Sequence, residues 1–247
     1  MHRDLHGKRV WLVGASTGIG RALARELAGR GARLTVSARS VDKLEELAGE
    51  IGEGARVLPL DVTDQAAIEA AAQSISELDG VVYLAAAYNP DKGKEKMPPS
   101  IIDQVVTVNL TGAIHLTQAV RERLADRPGS FLALYASVAG YRGLPHGQPY
   151  CATKAGVISY AESMRVELEG KVDVKVINSG FVDTRITRQN DFPMPMLMEP
   201  EEAARRIADG LQGGGFEICF PKRFAYLVKL LRLMPYWLFL RVARRFR

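Results

Sequence analysis

The chain has 247 residues, 47% of them apolar, and its 33 Lys and Arg against 28 Asp and Glu give a formal charge of +5. That size and ordinary balance fit one large or two small domains with a buried core, and exclude a disordered, collagen-like or disulfide-rich chain. The charge is uneven along the chain. After Glu217 no acidic residue occurs, while Lys222, Arg223, Lys229, Arg232, Arg241, Arg244, Arg245 and Arg247 follow. Without those eight cations, residues 1–221 hold 25 basic against 28 acidic residues and stand near −3. A basic nucleic-acid surface spread over the whole domain is therefore not expected. With only Cys151 and Cys219 there is no disulfide framework, so a reducing cytoplasm is expected. The start MHRDLHGKRV is too polar for a secretory signal.

In chain order, short runs rich in β-branched residues predict strands at Arg9–Val13, Arg33–Ser37, Arg56–Leu60, Gly80–Ala85, Ser130–Tyr135, Val172–Ile177 and Phe216–Phe220. Helical spacing of apolar residues falls between them, as in Ile19–Ala28 and Ala152–Leu168. Alternating strands and helices imply right-handed crossovers and an α/β, doubly wound parallel sheet of about seven strands. Residues 1–221 are expected to form that domain, and 222–247 a basic amphipathic helical extension.

The first strand runs into VGASTGIG, with Gly14, Gly18 and Gly20 ahead of a helix. Glycines here permit a tight turn and close backbone approach to a diphosphate, and the helix N-terminus adds free N–H groups. A purely structural turn has the same letters; the position after the first strand favours a dinucleotide. Gly14, Ser16, Thr17, Gly18, Ile19 and Gly20 are the candidate contacts. At the end of the second strand Ala38 stands where a ribose-binding acid is usual, followed by Arg39 and Ser40. A guanidinium suits a 2′-phosphate, so NADP(H) is favoured over NAD(H), against the alternative of a solvated arginine. Asp61, before Val62, can accept from an adenine amino group or cap a helix starting at Thr63.

A strand end at Tyr135-Ala136-Ser137 precedes Tyr150 and Lys154 in YCATK. Residues four apart share a helix face, and an ammonium beside a phenol is expected to lower its pKa from about 10. That would suit Tyr150 to general acid–base work. Alone, the pair could equally be a helix-surface contact.

Taken together, these residues resemble the classical short-chain dehydrogenases/reductases over about residues 7–220. The resemblance rests on the glycine turn, Asp61-Val62, Asn109 in VNLTG, Ser137, Tyr150 with Lys154, and Asn178 to Thr184 in NSGFVDT. It implies a Rossmann-type fold and carbonyl–alcohol interconversion with a nicotinamide cofactor. By motif match, Tyr150 would protonate the carbonyl oxygen and Ser137 hydrogen-bond it. Lys154 would bind the ribose and tune Tyr150, and Asn109 would help hold a relay water. Gly180, Val182 and Thr184 would meet the cofactor, with Thr184 at the carboxamide or, alternatively, a helix N-cap. Four positions depart from the pattern: Val13 replaces a Thr, Tyr83 and Leu84 replace two Asn, and Ser179 replaces a Pro. The alternative from another class is a non-catalytic NADP(H)-sensing or scaffold protein at a membrane surface.

On the substrate side, NDFPMPMLM (Phe192, Met194, Met196, Leu197, Met198) reads either as an adaptable apolar lid or as packing beneath a helix. His146 and Gln148 could line an entrance or face solvent, Cys151 reads as a packing residue, and Asp91–Pro99 as a solvated loop. No metal-ligand cluster is evident in the sequence. The extension reads as two helices broken near Pro235. Cations interrupt every window long enough to span a bilayer. Its apolar face, aromatics and arginines favour a helix lying at a membrane surface, with burial in a homo-oligomer interface as the competing expectation. The expected substrate is a small, apolar carbonyl or alcohol, and the expected location is cytoplasmic, peripheral to a membrane's inner face.

Overall fold

The computed structural model describes residues 3–89, 96–191 and 193–246. Seven parallel strands lie in the order β3-β2-β1-β4-β5-β6-β7. They are β1 (Arg9–Val13), β2 (Arg33–Ser37), β3 (Ala55–Val57), β4 (Gly80–Tyr83), β5 (Phe131–Tyr135), β6 (Asp173–Ser179) and β7 (Glu217–Phe220). The order reverses between β1 and β4, which opens a crevice at the carboxyl ends of the central strands.

Helices α1 (Gly18–Gly29), α2 (Val41–Ile51) and α7 (Pro200–Gln212) lie at one face, and α1 and α2 join α7 in a single apolar cluster around Leu12, Val36 and Ile177. On the other face α3 (Gln65–Ser74), α5 (Gly112–Ala125) and α6 (Tyr150–Glu167) pack over Trp11, Val81 and Leu132. A further helix, α4 (Pro99–Val106), runs into α5 through a π-helical turn, Thr107–Thr111, that contains Asn109.

The first two strands match their predicted bounds, and the others differ at their ends for identifiable reasons. Residues after Val57 leave regular strand geometry, yet Leu58 and Leu60 still donate to Val36 and Ala38 of the β2 side. Strand β6 runs two residues past Ile177, because Asn178 and Ser179 pair with Cys219 and Phe220. Helix α3 starts at Gln65, not Thr63, because Asp64 accepts from the Ala67 N–H and takes the N-cap place. Asp61 instead bonds the Thr63 N–H and hydroxyl, both at 2.9 Å. The loop expected over Asp91–Pro99 lies mostly outside the described residues, and Pro99 itself begins α4.

Tyr83 shows how one departure from the family pattern is accommodated. It is buried, and its hydroxyl donates to the Val108 carbonyl at 2.6 Å, satisfying a backbone group inside the π turn. Gly112 follows from this arrangement, since a Cβ there would lie 2.7 Å from the Tyr83 oxygen. A phenol thus tethers β4 to the segment carrying Asn109.

The extension forms α8 (Lys222–Leu233) and α9 (Tyr236–Ala243), broken at Met234-Pro235. It is seated on the sheet domain. Ala225 and Val228 join the core beside β6, and Lys229 pairs with Glu217 of β7. Glu217 also accepts from Tyr141 at 2.5 Å and Asn178 at 2.7 Å. Burial opposes its charge, but these donors together hold its carboxyl below the usual range.

Candidate active site

One cavity of about 1200 Å³ occupies the crevice. At one end lies the glycine turn. Gly14 has φ +94° and Gly18 φ +55°, the left-handed region that glycine tolerates. A Cβ at Gly14 would fall 2.6 Å from the Ala85 nitrogen, and one at Gly20 only 2.0 Å from the Gly14 oxygen. Helix α1 begins here with no side-chain cap and no acid in its first turn. Its leading N–H groups are therefore directed to whatever occupies the cavity, a donor set that fits a diphosphate.

Every residue expected at the cofactor lines this cavity except Lys154. Arg39 and Ser40 are joined there by Lys43, in the first turn of α2. The sequence reading missed Lys43; its place three residues past Ser40 was the available signal. Thr184 approaches Gly18, its methyl 3.1 Å from where a Gly18 Cβ would lie, and its hydroxyl accepts from Thr187 at 3.4 Å. It therefore lines the cavity, while the N-cap place of the short turn Thr187–Gln189 belongs to Ile186 and not to Thr184. Gly180 packs 3.0 Å, measured the same way, from Pro221, and Val182 is buried against the segment at Met198.

Tyr150 opens α6, and Ser137, two residues past the end of β5, is the N-cap of the 3-10 turn Val138–Gly140, so both side chains reach the cavity wall. The Ser137 hydroxyl donates to the Ser179 carbonyl at 3.2 Å and accepts from the Ala139 N–H at 3.2 Å. Tyr88 packs edge-on against Tyr150, with centroids 5.0 Å apart at 75°, and bonds Asn190 at 2.8 Å. Ser179, where the family pattern has Pro, shares a 2.7 Å hydrogen bond with the Tyr135 hydroxyl.

Lys154 and Asn109 stand behind the wall. Lys154 is 0% exposed, donates to the Tyr135 carbonyl at 2.8 Å, and lies 4.5 Å from the Tyr135 ring and 5.5 Å from that of Tyr150. Burial lowers its pKa to about 7. The expected depression of the Tyr150 phenol by this amine is not found. Burial, foremost, and the neighbouring Tyr135 hold Tyr150 well above the ordinary phenol value, with the nearby Ser137 acting in the other direction. The reason is that the amine bonds a carbonyl instead of the phenol, and burial weakens its hold on its own proton. Asn109 spends both amide hydrogens, on the Ala87 carbonyl at 2.9 Å and Thr153 at 3.2 Å. Its oxygen accepts from the Ala87 N–H at 2.8 Å.

The substrate end differs from the sequence reading. Among the described residues of the expected methionine lid, Asn190, Asp191, Pro193 and Pro195 line the cavity, and none of the methionines does. Met198 packs into the core, and Met196 and Leu197 are exposed. Phe192 lies outside the described residues. His146 lines the cavity, and Cys151 is buried as a packing residue. The far wall is apolar and comes mainly from the extension, through Phe224, Leu227, Leu231 and Phe239. Among the described residues no group of side chains could hold a metal ion.

The short chain dehydrogenase family model matches residues 8–193. An uncharacterized oxidoreductase of Myxococcus xanthus (strain DK1622) is 33% identical over 244 residues, covering 96% of each chain. A 3-oxoacyl-(acyl-carrier-protein) reductase of Escherichia coli (strain K12) is 30% identical over 189 residues, covering 75% of this chain and 78% of its own. Among solved structures, a short-chain dehydrogenase from Streptomyces avermitilis superimposes with a TM-score of 0.82 at 20% identity, covering 91% of this chain and 92% of its own. An actinorhodin polyketide ketoreductase variant with NADPH gives 0.76 at 23%, covering 89% and 97%. The chain belongs to the short-chain dehydrogenase/reductase family, and is an oxidoreductase of the CH–OH/C=O class that uses NAD(P).

Proposed function

We propose that the protein is an NADP(H)-preferring reductase of lipophilic carbonyl compounds, working at a membrane surface. The observation that carries the chemistry is the convergence of Ser137 and Tyr150 on one cavity with the glycine turn, above the buried Lys154. When bound, the nicotinamide supplies the hydride. Tyr150 donates its phenolic proton to the carbonyl oxygen, a role suited to a group that burial keeps protonated. The Ser137 hydroxyl hydrogen-bonds the same oxygen and so stabilises charge developing there. Lys154 holds the end of β5 against α6 and, once cofactor hydroxyls provide further partners, carries the charge that draws the phenol down. Asn109 fixes Ala87 beside Tyr88, the ring that supports Tyr150, and keeps one oxygen lone pair for a relay water.

Preference for NADP(H) is supported by Arg39 and Lys43 on the cavity, with Ala38 in place of an acid. The lipophilic substrate is supported by the apolar far wall. Membrane association is supported by the outer surface of the extension, where Leu233 is 80% and Trp237 71% exposed, with Tyr226, Leu230, Tyr236 and Leu240 all more than half exposed. Among the described cations there, only Lys229 is paired with an acid. Apolar area beside unopposed positive charge is complementary to an anionic headgroup layer. Among the described residues no helix is long and apolar enough to cross a membrane.

Three measurements test this reading. Purified protein consumes NADPH with apolar ketones, and Tyr150→Phe lowers kcat at least about 100-fold through loss of the proton donor. Binding of NADPH without consumption of it by any carbonyl sinks the enzyme reading in favour of a sensor. Arg39→Ala weakens NADPH about 10- to 100-fold, the cost of a charge-assisted hydrogen bond, and NADH little; equal loss for both contradicts the cofactor assignment. In flotation, the full chain rises with vesicles containing anionic phospholipid, and a Leu233→Ser, Trp237→Ser double variant does not. A chain that ignores such vesicles but self-associates through these residues places the extension in an oligomer interface instead.

A further inference from the structure

The extension is attached to the segment that follows Ser137, and the attachment centres on one side chain. Arg142 lies two residues past the 3-10 turn Val138–Gly140. Its guanidinium donates to the carbonyls of Arg232 at 3.4 Å and Met234 at 3.3 Å. Carbonyls at a helix C-terminus lack intrahelical partners, so Arg142 closes the end of α8. The same guanidinium lies over the rings of Tyr236 and Phe239, at 4.6 and 4.4 Å from their centroids. It therefore grips both sides of the Pro235 break. Its Nε is buried without a hydrogen-bond partner, so the charge rests on ring faces and two backbone oxygens. That arrangement has value only while α9 is in place.

The turn on which Arg142 depends is itself tightly packed. A Cβ at Gly140 would lie 2.7 Å from the Lys154 backbone, so the turn is pressed against α6 within the first turns after Tyr150. Phe239, held by Arg142, is only 7% exposed and lines the same cavity as Ser137 and Tyr150. Leu144 and Pro145, which follow Arg142, line it also. One short segment thus supports both the candidate reacting groups and the apolar wall.

We propose that Arg142 is a positioning residue that holds α9 as the far wall of the substrate site, and that this wall selects carbonyl compounds bearing an extended hydrocarbon chain. The chain lies between Leu144 on the segment and Phe224, Leu231 and Phe239 on the extension, while the carbonyl meets Ser137 and Tyr150. This rests on the reductase reading for its chemistry, but the wall itself is a binding property.

The test compares wild type with Arg142→Ala and Arg142→Lys on 2-dodecanone and 2-butanone with NADPH. Arg142→Ala lowers kcat/KM for the long ketone about tenfold more than for the short one, mainly through KM, as expected when uniform binding is removed. Arg142→Lys recovers part of the difference, because a cation over the rings is retained. Without turnover, the affinity of a dansyl-dodecyl amide falls by a similar factor in Arg142→Ala, and hydrogen exchange in Leu231–Ala243 rises. Equal losses on the two ketones, or unchanged probe affinity and exchange, overturn the proposal. If wild type reduces no carbonyl, the reductase reading falls, and probe affinity with exchange still decides the wall. Should Arg142→Ala fail to fold, Phe239→Ala carries the same comparison.

Discussion

The burial of one amine organises the site. Lys154 sits beneath the cavity wall with no exposed surface, one backbone carbonyl as partner and two phenol rings nearby. Removing an ammonium from water without a carboxylate is costly, and the protein responds by bringing its pKa close to neutrality. To keep the amine there, β5 must end with Tyr135 facing α6, the Val138–Gly140 turn must press on α6, and Tyr150 must open that helix above it. A group this close to changing its charge is sensitive to what enters the cavity. A bound molecule offering hydroxyls would stabilise the ammonium, and through it the phenolate of Tyr150.

The extension belongs to the same arrangement. Charge and hydropathy mark residues 222–247 as separate in character, yet Ala225, Val228 and Phe239 are buried and Lys229 is tied to Glu217. The two surfaces of these helices differ. The inner one closes the apolar end of the cavity, and the outer one leaves Leu233, Trp237 and their neighbours uncovered. Cavity wall and exposed apolar surface are therefore two sides of one helical pair, so the proposed lipophilic substrate and the proposed membrane location rest on the same two helices.

Much of the site was legible because it is governed by local rules. Gly14 takes a left-handed φ and Gly20 abuts the Gly14 carbonyl within the same turn, while helical spacing relates Tyr150 to Lys154. The parallel, doubly wound sheet also follows from the alternation of elements and the handedness of crossovers, whereas the strand order β3-β2-β1-β4-β5-β6-β7 comes from the structure. What was not legible depends on contacts between distant segments. Tyr88 against Tyr150, Ser179 against Tyr135, and Arg142 against Tyr236 join residues tens of positions apart with no periodic signature. The pKa reading for Tyr150 failed for a related reason: spacing puts an amine nearby, but only packing determines that it bonds the Tyr135 carbonyl and lies out of water.

The most direct measurement is the titration of Lys154 in the unliganded protein, followed by NMR of side-chain-labelled lysine and assigned with Lys154→Met. The account predicts a midpoint of about 7. Because the folded value lies below that of the unfolded chain, the unfolded state holds the extra proton between about 7 and 10.4. The stability contributed at this position therefore rises with pH across that window and is lowest below it. A midpoint close to 10.4, with no such pH dependence relative to Lys154→Met, would contradict the claim that a dehydrated amine underlies the site.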